Sequence, residues 1–167
     1  MAPSGLIVRP MQWTGRTTWL LAMWLGMVWP SLPAKAEVLK VLPQYVDRQG
    51  RVALSPSLFD RDAYQAELRC NPQMRSTMRF QVLWKPISPT EAGVRLRLEL
   101  RGWSRGGSPQ ELVLEQAVPS QGTRRRWTSF WLTPEQYEKL GDVTAWRVTL
   151  WAGTTLVGEQ KSFLWDR

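Results

Sequence analysis

The sequence predicts a mainly β protein: an antiparallel sandwich with one N-terminal helix packed on it. Three observations carry that expectation. Val143–Trp151 and Thr155–Trp165 are runs rich in β-branched and aromatic residues flanking Ala152-Gly153-Thr154, the best strand–turn–strand pattern in the chain. Val94, Leu96, Leu98 and Leu100 alternate without fault with Arg95, Arg97, Glu99 and Arg101, as a strand with one wet face requires. Six strand-like runs follow one another from Thr77 to Trp165, joined by short polar turns and one helical turn. A hairpin as apolar as the last one needs further strands and a second layer to cover it.

Residues 1–36 read as a secretory signal rather than as part of the fold. Arg9 and Arg16 supply a basic start, Trp19–Trp29 an apolar run, and Pro30-Ser31-Leu32-Pro33 breaks it before Ala34-Lys35-Ala36. Small residues at both ends of that tripeptide place cleavage between Ala36 and Glu37. The apolar run is short of the ~20 residues that a spanning helix needs, so no integral membrane span is expected after processing. Removing Arg9, Arg16 and Lys35 lowers the formal charge from +8 to +5. For an exported chain that moderate basicity fits lipid head groups, envelope glycans or extracellular nucleic acid without choosing among them. The single cysteine, Cys70, cannot make an internal disulfide and is expected to be buried on its helix.

Val38–Val46 is extended and apolar but interrupted by Pro43, which suits an edge strand or a strap. Asp47-Arg48-Gln49-Gly50 is a turn, and Arg51–Leu54 a short strand. Ser57 caps a helix from Leu58 to Cys70, with Asp60 and Asp62 at its positive end and Asn71-Pro72 closing it. On that helix Phe59, Ala63, Ala66 and Cys70 form one stripe, and Tyr64 and Leu68 lie nearly opposite. The small stripe is expected to dock on the outer face of the C-terminal hairpin near Phe163 or Trp165. The Val38–Val46 strap is the nearest cover for the other stripe.

From Thr77 the period changes to that of strands: Met78, Phe80, Val82 and Trp84 alternate with Arg79, Gln81, Leu83 and Lys85. Pro86–Thr90 is a loop, Val94–Arg101 the alternating strand, and Gly102–Pro109 a flexible loop. Glu111–Ala117 is a strand, Pro119–Gly122 a turn, and Arg124–Leu132 a further strand. Thr133-Pro134-Glu135-Gln136 starts a short helix that Gly141 ends. The organisation expected is 1–36 signal, 37–76 strap and helix, and 77–167 sandwich. The layout resembles immunoglobulin-like or fibronectin-III-like domains, in which a helical turn bridges the sheets. The runs Leu54–Ala66, Ala145–Trp151 and Gly158–Trp165 also look like a group of small exported bacterial proteins of unassigned function. That resemblance implies export and a shared fold, and it transfers no site residue.

The chain has no histidine, which removes Ser–His–Asp and Cys–His catalysis and the commonest metal ligand. One cysteine offers neither a zinc cluster nor a redox pair, and no glycine-rich loop opens a helix to hold a nucleotide. No cofactor, metal or nucleotide is therefore expected. Asp60, Asp62 and Glu67 are the carboxylates a carbohydrate-acting hydrolase would use, against the plain reading that the two aspartates match a helix start. Arg95, Arg97 and Arg101 share a strand face that a polyanion-binding adhesive domain would present. Arg124-Arg125-Arg126-Trp127 mixes charge and aromaticity, but strand alternation splits it between two faces. Trp103, between glycine-bearing stretches, is a candidate for stacking on carbohydrate. The leading expectation is a non-enzymatic binding or scaffolding module of the cell envelope, periplasmic or extracellular. Its expected partner is an envelope glycan or a co-encoded envelope protein.

Overall fold

The computed structural model describes residues 37–86, 93–119 and 124–167. The expected signal, its cleavage residue Ala36, and the centres of the Pro86–Thr90 and Pro119–Gly122 loops lie outside the described residues. The elements run β1 (Glu37–Asp47), α1 (Leu58–Cys70), a short 3-10 turn (Pro72–Met74), β2 (Arg75–Lys85), β3 (Val94–Trp103), β4 (Pro109–Val118), β5 (Arg126–Trp131), α2 (Pro134–Leu140), β6 (Asp142–Ala152) and β7 (Thr155–Lys161). They build two antiparallel sheets, β1-β2-β5 and β4-β3-β6-β7.

The alternation in the sequence becomes the inner face of each sheet. Met78, Phe80, Val82 and Trp84 of β2 share one core with Leu96, Leu98 and Leu100 of β3 and Val148 and Leu150 of β6. Pairing of Leu96 with Leu150 and Leu98 with Val148 keeps these residues in step. Trp84 is fully buried, and its indole N–H donates to Thr128 Oγ1 at 2.9 Å, so no polar atom is stranded there. Among the described residues no helix is long and apolar enough to cross a membrane.

Glu37–Asp47 is the edge strand of the three-stranded sheet, paired with β2 along its length, so of the two readings of Val38–Val46 the edge strand holds and the strap does not. Other expectations need correction. Arg51–Leu54 forms no strand. Its place is taken by a turn that wraps the Asp47 carboxylate, which accepts from the backbone N–H groups of Gln49 and Arg51, each at 2.8 Å. The last strand stops at Lys161, and the chain turns so that Trp165 is buried and Phe163 is exposed.

Helix α1 does not dock on the hairpin through its small stripe. Tyr64 and Leu68 are its buried residues, while Phe59, Ala63, Ala66 and Cys70 are exposed. The Gln65 amide holds the backbone of Tyr45 from both sides, accepting from its N–H at 2.8 Å and donating to its carbonyl at 2.9 Å. The Tyr64 hydroxyl donates to Asp47 at 2.6 Å. Val46, Tyr64 and Leu68 are buried outside the sandwich core, which places α1 against the outward side of the end of β1. The larger apolar pair wins because buried area, not narrowness of a stripe, sets the gain.

Candidate functional site

Of the loop expected over Gly102–Pro109, Gly102 and Trp103 belong to β3, while Gly106 and Gly107 lie in the turn that follows. Trp103 is the last residue of β3, paired with Pro109 on one side and Asp142 on the other. A Cβ on Gly102 would lie 2.7 Å from the Leu140 carbonyl oxygen, and one on Gly141 would lie 1.9 Å from that of Trp103. Gly141 also has φ +73°, a left-handed conformation open to glycine. The end of β3 and the junction of α2 with β6 are thus packed backbone against backbone. Beyond Trp103 the chain reverses at once, with the Ser104 N–H donating to the Ser108 carbonyl and the Gly107 N–H to that of Ser104, both at 2.9 Å.

The Trp103 ring, 52% exposed, stands on the rim of a cleft of about 420 Å³ at one end of the sandwich. Arg75, Arg105, Tyr137, Glu138 and Asp142, with Ser76 and Ser104, supply its polar lining. Arg75 organises the floor. Its Nε donates to the Leu68 carbonyl at 2.5 Å and its Nη2 to that of Arg69, capping the last turn of α1. The same guanidinium lies 4.1 Å from the Tyr45 ring and 3.3 Å from the Asp142 carboxylate. Burial raises the Tyr137 phenol above its ordinary range, partly offset by Arg75, so at neutral pH it is a neutral hydroxyl able to donate and accept. The α2 turn that carries Tyr137 is fixed by a full capping box between Thr133 and Gln136 and by Pro134 in its first turn.

The other candidates sit elsewhere. Arg95, Arg97 and Arg101 do share the outer face of the four-stranded sheet, but the fold brings carboxylates beside them. Arg97 pairs with Glu99 and Glu115, and Arg101 with Glu111, while Arg147 reaches Glu99 and Glu159. Trp165 lies on this face with the Arg101 and Arg147 guanidinium groups 4.1 and 4.9 Å from its ring. Arg95 is the exception, 5.7 Å over Trp151. Asp60 is tied to the helix start, accepting from the Ser55 hydroxyl at 2.7 Å. It shares a shallow groove with Glu67, and Asp62 does not line that groove but lies 3.8 Å from Arg61. Among the described residues no group of three or more His, Cys, Asp or Glu could hold a metal ion.

Arg75, Tyr137 and Gly141 escaped the sequence reading. They come from two separated segments, β2 and the end of α2, and only Gly141, already marked as a helix stop, carried a local signal. The chain matches no family model, and neither curated proteins nor solved structures provide a significant match to it.

Proposed function

We propose that the chain is a non-enzymatic binding module of the cell envelope, exported and cleaved before Glu37, whose Trp103 cleft takes a sugar ring or a similar flat polar ligand. The observation that carries this reading is a half-exposed tryptophan on a backbone locked by Gly102 and Gly141 at the mouth of a polar cleft. A ring carried on a fixed backbone has less freedom to lose when a ligand stacks on it, which favours recognition. An immunoglobulin- or fibronectin-III-like assignment is supported by the three-plus-four strand arrangement and by α2 leading from β5 in one sheet to β6 in the other. The kinship with small exported proteins rests on the sequence runs alone.

The hydrolase alternative through Asp60, Asp62 or Glu67 draws less support, because Asp60 is engaged with Ser55 and the helix start. A polyanion site on Arg95, Arg97 and Arg101 is weakened by the neighbouring glutamates. Calorimetric titration with chitotriose and cellotriose, wild type against Trp103→Ala, tests the cleft. The expected result is binding that the substitution weakens about tenfold or more. Absence of binding to both sugars, or equal binding by Trp103→Ala, counts against the cleft. An intact mass beginning at Glu37 tests the export.

A further inference from the structure

Strand alternation decides which side chains of β5 leave the core. Phe130 is buried opposite Phe80, so Trp127, Ser129 and Trp131 project from the other side of the three-stranded sheet. Trp127 and Trp131 are 51% and 49% exposed. Four residue steps along the strand, about 14 Å at ~3.4 Å per step, carry the chain from one to the other. Across the sheet, Trp127 is in line with Leu83 and Lys40, Ser129 with Gln81 and Leu42, and Trp131 with Arg79 and Gln44.

Charge separates this face from its counterpart. On the four-stranded sheet the outward arginines are matched by glutamates, as described above. The strands of the three-stranded sheet hold only two carboxylates, Glu37 beside Lys85 at one end and Asp47, buried and engaged by Tyr64 and Arg51. Arg79 donates to the neutral Gln44 Oε1 at 2.7 and 3.1 Å and stacks 4.9 Å from the Trp131 ring. Burial, with the positive charge of Arg61 behind it, lowers the Arg79 pKa, so a negative group placed there would relieve an imbalance. Exposed Arg124 and Arg125 lead the chain into β5 from the same end as Trp127.

We propose that this face binds an extended anionic polysaccharide. Sugar rings stack on Trp127 and Trp131, their acidic groups meet Arg79 and Lys40, and hydroxyl groups meet Ser129 and Gln81. Single-stranded nucleic acid asks for something else, a charge contact at nearly every nucleotide and closely spaced stacking rings. Here two rings stand far apart with neutral hydrogen-bonding groups between them, which fits acidic groups spaced by neutral hydroxyls. The surface is separate from the Trp103 cleft and does not depend on it.

The test is affinity electrophoresis and titration of the purified protein with polygalacturonate and heparin, with dextran as the neutral glycan and a twenty-residue oligothymidylate as the nucleic acid. At least one acidic glycan should bind, and dextran should bind more weakly and without dependence on Trp127 or Trp131. Trp127→Ala and Trp131→Ala should each weaken binding about tenfold. Arg79→Gln should flatten its salt dependence, and Val113→Ala, an exposed substitution on the other sheet, should leave binding unchanged. Circular dichroism checks that the tryptophan variants keep the wild-type fold. The proposal is overturned if neither acidic glycan binds, if dextran binds equally, or if oligothymidylate binds more tightly. It is also overturned if both folded tryptophan variants keep wild-type affinity, or if Val113→Ala weakens binding equally.

Discussion

Tyr64→Phe removes one oxygen from the contact that holds α1 to the sheet, and its cost can be worked from the surroundings. The Tyr64 hydroxyl donates to Asp47 Oδ2 at 2.6 Å, in a site where the Asp47 side chain is 2% exposed. A hydrogen bond to an ionised partner contributes about 1.5–3 kcal/mol. Asp47 keeps the backbone N–H groups of Gln49 and Arg51 and the Arg51 Nε, each at 2.8 Å, so the lower part of that range applies, about 1.5–2 kcal/mol. Burial acts to raise the Asp47 pKa; the Tyr64 bond, then those of Arg51 and Gln49, overcome it and hold it at about 2, below the ordinary 3.8. A carboxylate depressed on folding stabilises the fold above its unfolded pKa, and that contribution disappears as pH falls through about 2. Linkage gives an upper figure of about 2.5 kcal/mol, reduced to about 1–2 because solvent reaches and screens the Arg51 side of the pair. The variant, whose Asp47 pKa moves back toward normal, loses less stability between pH 5 and 2 than the wild type, so the two curves converge in acid. Urea denaturation at pH 7, 5, 3.5 and 2.5 measures this. A shift under about 0.5 kcal/mol at pH 7, or a gap that stays constant down to pH 2.5, would refute the reasoning.

Gly141→Ala should cost about 3 kcal/mol or more and alter the near-ultraviolet dichroism, because the new Cβ meets the Trp103 carbonyl at 1.9 Å on a backbone with φ +73°. A near-native melting temperature for this variant would mean that this contact is not rigid. Leu68→Ala should lower stability by about 2–5 kcal/mol, whereas Ala63→Arg, on the exposed side of α1, should stay within about 0.5 kcal/mol. The reverse ranking in chemical denaturation would put the helix the other way round. Cys70 is exposed, so a thiol reagent should label it fully without denaturant, and slow labelling would contradict that placement.

Period and punctuation carried the strands. The faultless alternation of Val94–Arg101 reappears as β3, buried on one face, and Gly153 turns the chain tightly between β6 and β7. The capping residues Ser57 and Thr133 mark the helix starts because their side chains satisfy nearby backbone donors, an interaction of three residues' reach. Trp127 and Trp131 were readable in the same way, four apart on a strand and therefore on one face.

What failed concerned partners distant in the chain. A helix with two apolar stripes does not say which one turns inward; the buried Asp47 and the open backbone of Tyr45 chose Tyr64, Gln65 and Leu68. Arginines on one strand face suggest a basic surface until Glu99 of the same strand and Glu111 and Glu115 of neighbouring β4 are seen to pair with Arg97 and Arg101. Trp103 looked mobile because glycines follow it, yet Gly102 before it and distant Gly141 permit the close backbone contact that fixes its main chain. Local chemistry, then, determined the elements and their wet and dry sides, since it acts within one strand or one helical turn. Tertiary structure decided which tryptophans stay open and, apart from local pairs such as Arg97–Glu99 within β3, which charges are neutralised, since these depend on side chains that strand pairing brings together.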